Sequence, residues 1–98
     1  MKGRILRLHF RQTDKHHGKP LHESILEKCR ELKVAGATVL HGLEGYGDEA
    51  QIHHEPIVII IVDSVENIDR VRPVLEEMIP TGTVAVSDVE VIRVQRSV

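Results

Sequence analysis

The sequence predicts an α+β domain in which an antiparallel sheet carries two helices on one face. Three observations predict it. Residues 4–10 alternate apolar and polar, two segments repeat apolar residues at helical spacing, and residues 57–62 are six consecutive β-branched residues. With 98 residues, 41% hydrophobic and 29% charged, the chain has room for one domain spanning 1–98 and a thin core of its own.

The first strand is read from Arg4 to Phe10, with Leu6, Leu8 and Phe10 on one face and Arg7 and His9 on the other. A polar loop, RQTDKHHGK, follows. Pro20 suits a first helical turn, where a missing N–H costs nothing. Leu21, Ile25, Cys29 and Leu32 then form one apolar stripe, with Glu23 near the start and Lys28, Arg30 and Lys33 near the end, as the helix dipole favours. Gly36 is the expected stop.

Ala37 to Leu40 reads as a second strand, and Gly42, Gly45 and Gly47 as a bend with a flexible exit into the polar segment 48–55. The run Ile57 to Val62 has no polar side, so both of its faces need cover. Ser64 is placed to cap a second helix carrying Ile68, Val71, Leu75 and Met78, in which Pro73 should introduce a kink or loosen one turn. Pro80-Thr81-Gly82 ends it. The tail reads as a short strand, Thr83 to Val86, a Ser87-Asp88 turn and a last strand, Val89 to Val94.

The order of these elements is that of the ferredoxin-like βαββαβ sandwich. Two helices cover one face of such a sheet. Three β-branched side chains of the 57–62 run would then face water, each worth about 1.5–3 kcal/mol if fully buried. A closed homo-oligomer is the expected remedy.

Composition removes several classes. One cysteine excludes a disulfide framework and a cysteine-based zinc cluster. The basic N-terminus, MKGRILRLHFR, is interrupted by Arg7, His9 and Arg11 and does not read as a signal peptide, and no apolar stretch has the length of a membrane span, so a cytoplasmic protein without membrane insertion is expected. RNA-binding domains of this architecture stack bases on sheet aromatics. Phe10 and Tyr46 are the two aromatic residues, and none lies in 57–62, so nucleic acid is not an expected partner. Charge is uneven: residues 1–19 carry +5, 20–43 balance, and 44–98 carry −7, for a formal net charge of −2. The basic N-terminal strand and loop could meet an anion.

No residue set reads as a catalytic centre. Cys29 belongs to a helical apolar stripe, and the serines occupy helix, cap and turn positions. The chain is therefore expected not to be an enzyme. Gly42, Gly45 and Gly47 could let backbone N–H groups approach a phosphate, Thr81-Gly82-Thr83 forms a second small-residue turn, and Lys15 and Lys19 add charge. Among seven histidines, His16, His17, His22, His53 and His54 lie in two polar loops and a helix start and could converge on a divalent metal, with His53 and His54 the candidate ligands. His9 and His41, on strands, are read as structural or interface residues.

The segments GKPLHESILEKCRELKVAGATVLHGLEGYG and VDSVENIDRVRPVLEEMIPTGTVAVSDVEVI closely resemble the small PII-like proteins of domain of unknown function family 190. The resemblance covers nearly the whole chain and includes Pro73. It implies a homotrimer related to PII signalling proteins and to divalent-ion-tolerance proteins of the CutA type. It further implies an adenine-nucleotide effector in clefts between subunits. By position, Gly42, Gly45, Tyr46 and Gly47 match the base of the PII loop between the second and third strands, and Thr81, Gly82 and Thr83 match the second ligand loop. That long loop would act on a partner protein, a membrane transporter or an enzyme. The family carries about ten more residues before Ile57 than are present where Glu55 meets Pro56 here. The alternative function is divalent-metal binding through loop histidines, close to ion tolerance.

Overall fold

The structure, a computed structural model, describes residues 1–46, 52–54 and 56–96. In chain order the elements are β1 (Lys2–Phe10), β2 (Lys15–His16), β3 (Lys19–Pro20), α1 (Leu21–Glu31), β4 (Ala37–His41), β5 (Glu44–Tyr46), β6 (Ile52–His54), β7 (Ile57–Ser64), α2 (Val65–Met78) and β8 (Thr83–Glu90). Four of the strands form one antiparallel sheet in the order β4-β7-β1-β8, which is the ferredoxin-like sandwich the sequence predicts. Two short ribbons, β2-β3 and β5-β6, stand apart from it.

The registers fix which side chains share a face. Leu6 lies opposite Ile61 and Val86, Leu8 opposite Ile59 and Val84, and Phe10 opposite Ile57. Directly paired residues point the same way. Leu6, Leu8, Ile57, Ile59 and Ile61 are fully buried, together with Leu21 and Ile25 from α1 and Ile68, Val71 and Leu75 from α2. Both helices therefore pack on this face. The alternate residues of β7 lie on the other, where Val58 and Ile60 are half-buried and Val62 is 39% exposed. The sheet has one covered face and one bare face, where the apolar β7 residues lie beside Arg7, His9 and Thr38.

Local chemistry explains the helix ends. Ser64 accepts a hydrogen bond from the backbone N–H of Asn67 at 3.1 Å, the expected cap of α2. Asp63, beside it, is 5% exposed and accepts from the backbone N–H groups of Ala35 and Ser64 and from the Asn67 amide, tying the α1–β4 turn to α2. Burial alone would raise its pKa, but these donors, with the Arg93 charge, outweigh it and hold the carboxyl below its usual value. α1 has no side-chain cap; the N–H of Leu21 is taken by the carbonyl of Asp14. α2 continues through Pro73 to Met78.

Four expectations need correction. Pro20 does not open α1 but precedes it, at the end of β3. The helix stops before Gly36: Lys33 takes the left-handed conformation at φ 59°, the N–H of Val34 reaches the carbonyl of Cys29 at 3.0 Å, and Arg70 binds the Leu32 carbonyl. Ser87 and Asp88 do not turn. β8 is continuous because it pairs along nearly all of β1, and it ends at Glu90 because Glu90 faces Lys2, where β1 begins. Asp88 lies opposite Arg4 and accepts from Arg4 Nε at 2.8 Å, which holds it in the strand. Finally, the segments read as a polar loop and a flexible exit include hairpins. His17 (φ 50°) and Gly18 (φ 81°) form the two-residue turn between β2 and β3, and Glu44–Tyr46 pairs with Ile52–His54.

A candidate ligand site at one end of the sheet

The end of the sheet where β1 finishes gathers most of the residues singled out from the sequence. Across it, His9 faces Thr83 on β8 and Val58 on β7, Phe10 faces Ile57, and Ile57 faces His41 on β4. Gly42 follows His41 at one edge, and Thr81 and Gly82 precede Thr83 at the other. The β2-β3 hairpin leaves the same end of β1 and leads into α1, which places Lys15 and Lys19 there too. Two strands lie between β4 and β8, so the two small-residue turns stand roughly 14 Å apart across the sheet. Within one chain they share an end, not a cleft.

The individual residues differ in what they offer. Thr81, Gly82 and Thr83 are all exposed. Gly82 has a packing reason to be glycine: a Cβ would press into the carbonyl oxygen of His9 and meet Ile79 Cγ2 at 3.0 Å. Gly42 likewise passes against Pro56, whose ring carbon a Cβ would meet at 2.9 Å and whose carbonyl accepts the Gly42 N–H at 2.7 Å. Lys15 is exposed. Lys19 Nζ is held by Glu27 on α1, at 3.0 and 3.2 Å from its two carboxylate oxygens, so much of its charge is already balanced. Gly45 and Tyr46 lie on β5 and His53 and His54 on β6, with Gly45 opposite His53 and Tyr46 opposite Ile52. Gly47 lies outside the described residues.

One proximity was not read from the sequence. His22, in the first turn of α1, and His41, the last residue of β4, bring their ring centres to 5.8 Å with the planes at 77°. Nothing in their spacing of nineteen positions signals it; only the packing of α1 beside β4 does. Among the described residues no group of three or more His, Cys, Asp or Glu side chains converges on one point.

The perturbed ionisable groups lie elsewhere. Burial pushes the Cys29 thiol up to about 11, as befits an inert core residue. Arg4 is raised by its hydrogen bond to Asp88, with burial opposing and the charge of Asp69 assisting. A cavity of about 480 Å³ lined by Lys2, Arg4, Asp88 and Glu90 opens beside that pair, at the opposite end of the sheet. Arg4 is shared there between Asp88 and Asp69.

Comparison with known proteins bears on what this frame belongs to. Residues 3–91 match the family described as uncharacterized ACR, domain of unknown function family 190. The chain belongs to that family. It is 32% identical to the UPF0166 protein of Methanocaldococcus jannaschii, over 93% of both chains, and 32% identical to the UPF0166 protein of Aquifex aeolicus, over 94% of this chain and 95% of the relative. Among solved structures, the family member is similar to the divalent ion tolerance protein CutA1 of Ehrlichia chaffeensis, with a TM-score of 0.66 at 16% identity over 95% of this chain and 84% of the other. It is also similar to CPII of Thiomonas intermedia K12, a nitrogen regulatory PII-like protein bound to ADP, AMP and bicarbonate. The TM-score there is 0.64 at 20% identity, over 93% of this chain and 96% of the other. At these identities the likeness establishes the fold: PII-like and CutA-like. No helix among the described residues is long and apolar enough to cross a membrane.

Proposed function

We propose that residues 1–98 form a single PII-like domain of a cytoplasmic homotrimer that binds a small anionic effector, an adenine nucleotide, between subunits and acts through a partner rather than by catalysis. The observation that carries this reading is the split site. Gly42 and the β5-β6 ribbon stand at one edge of a sheet end, and Thr81-Gly82-Thr83 at the other. In this reading a neighbouring copy joins such edges into one cleft, and Val58, Ile60 and Val62 on the bare face supply a reason for copies to associate. The nucleotides bound by the CPII neighbour support the choice of effector. In this reading Lys15 and Lys19 supply charge, Lys19 by exchanging Glu27 for a phosphate. Gly45, Gly47 and Gly82 supply backbone donors, Gly42, whose own N–H is held by the Pro56 carbonyl, shapes the turn beside them, Thr81 and Thr83 supply hydroxyls, and Tyr46 a surface for the base. The β5-β6 ribbon carries the change to a transporter or enzyme target.

Calorimetric titration of the folded protein with ADP, AMP and ATP tests the proposal. Saturable heat with at least one of them is expected, and its loss in a Thr81→Ala/Thr83→Ala variant. Flat heats with all three overturn the nucleotide reading.

A second reading follows from the CutA neighbours, which are named for divalent ion and cation tolerance. It takes His53 and His54, on β6 in the ribbon, as ligands of a divalent metal. Metal retained after desalting, and lost in a His53→Ala/His54→Ala variant, supports it. Retention in that variant rejects it.

A further inference from the structure

We infer that His22 and His41 form a two-histidine clip for a borderline divalent transition ion, such as Ni²⁺, Zn²⁺ or Cu²⁺, at the point where β4 leaves the sheet. It goes beyond the functional readings above and stands whether or not a nucleotide binds. Geometry is the main warrant. Two imidazoles sharing a tetrahedral ion, each nitrogen about 2.1 Å from it, keep their ring centres about 5–6 Å apart. The His22 and His41 ring centres lie 5.8 Å apart with their planes at 77°, a spacing within that range, and rotation of the two side chains is what would turn one nitrogen of each toward a shared ion. The adjacent pair His16–His17 is a useful contrast. Its ring centres lie 4.2 Å apart, in direct edge-to-face contact with no room for an ion between them.

The chemistry and the accessibility agree. Paired imidazoles suit ions of borderline softness better than Mg²⁺ or Ca²⁺, which prefer oxygen. His41 is exposed and His22 half-buried, so an ion can enter and the remaining coordination positions stay open to water or a small anion. The first turn of α1 opposes a cation only weakly at so exposed an end, and Glu23 in that turn offsets it.

The position gives such an ion a consequence. His41 is followed by Gly42, and β5 begins at Glu44, so the clip pins the root of the β5-β6 ribbon to the start of α1. An ion held there restrains how the ribbon leaves the sheet, and cation supply becomes an input to whatever the ribbon contacts.

Calorimetric titration with Ni²⁺ at pH 7.5, where free imidazole is mostly neutral, tests the clip on the untagged full chain. One ion per chain is expected, weakened at least ~10-fold by either His22→Asn or His41→Gln. His16→Ala/His17→Ala and His53→Ala/His54→Ala are expected to bind as the parent does. Mg²⁺ is expected to give no heat. Absence of Ni²⁺ binding in the parent overturns the clip, and so does affinity within twofold of the parent in both His22→Asn and His41→Gln. Loss confined to the His53→Ala/His54→Ala variant overturns it in favour of the ribbon histidines.

Discussion

Replacing Gly82 by alanine adds one carbon at the tightest point of the candidate site. That carbon would sit inside the van der Waals envelope of the His9 carbonyl oxygen and 3.0 Å from Ile79 Cγ2, where ordinary contact begins near 3.4 Å. The chief obstacle is backbone, so it cannot rotate away as a side-chain tip would. Either β1 and β8 part where His9 faces Thr83, or the turn at 80–82 moves outward. Overpacking of this kind costs about 1–3 kcal/mol, and a rigid obstacle argues for about 2. For a domain of this size each kcal/mol lowers Tm by about 4–8 °C, so Gly82→Ala should melt roughly 8–16 °C below the parent. Circular dichroism melts at matched chain concentration measure this, since oligomer stability depends on concentration. Gly36→Ala is the control: a Cβ there meets nothing within 4 Å, and its φ lies outside the left-handed range. It should stabilise by about 0.4–1 kcal/mol, through the unfolded chain. A Gly82→Ala melt within 2 °C of the parent refutes the close approach and returns Gly82 to a purely ligand-binding explanation.

Other outcomes follow from the same reasoning. Lys33→Gly should stabilise by about 0.5–1 kcal/mol in denaturant titration, because the left-handed position after α1 is then filled without steric cost; destabilisation would contradict that end structure. Asp63→Ala strands the N–H of Ala35 and should cost about 2–3 kcal/mol at pH 7. Its folded-state carboxyl is held below the unfolded value, so the stability it contributes is present above about pH 4 and is lost as pH falls through the folded value. The gap between parent and variant should accordingly close in acid, and a gap independent of pH would contradict the assignment. Cys29, 3% exposed with its thiol pushed up to about 11, should resist a thiol reagent at pH 8 in the folded protein and react once unfolded; fast native labelling would show a more open core.

Much of the fold was legible because it rests on local periodicity. The Leu21, Ile25 and Cys29 stripe is buried as its spacing required. The run at 57–62 divides as a strand should, with Ile57, Ile59 and Ile61 in the core and Val58, Ile60 and Val62 on the bare face. What the sequence did not disclose depends on distant partners. Ser87-Asp88 is a turn signal by composition, but pairing along β1 and the Arg4 ion pair override it. Gly36 looked like the helix stop because glycine prefers the left-handed region, yet Lys33 occupies that region with the Schellman-type bonds around it. His17-Gly18 carries a hairpin-turn signal within a segment whose polar composition reads as loop.

The candidate site was legible to the same extent. Glycine and threonine clusters marked two turns that do lie at one end of the sheet, but not that they stand on opposite edges. The glycines at 42 and 82 also prove to be demanded by Pro56 and His9, a reason invisible without the register. The meeting of His22 and His41 is a product of tertiary packing, and no spacing rule finds it.

If the two edges form one site between subunits, as proposed, binding depends on assembly, and Ile60→Asp separates the two. Ile60 lies half-buried in the middle of the bare face, opposite Arg7 on β1 and Thr38 on β4, where a carboxylate opposes burial against another copy but in the monomer has Arg7 and solvent beside it. Light scattering should give the parent three times the 11.1 kDa chain mass and the variant one. The deciding measurement is ADP titration of both, with folding checked by circular dichroism. Saturable binding to the parent and none to the folded monomer is the expected result. Equal ADP affinity in the folded monomer would contradict a cleft built between subunits.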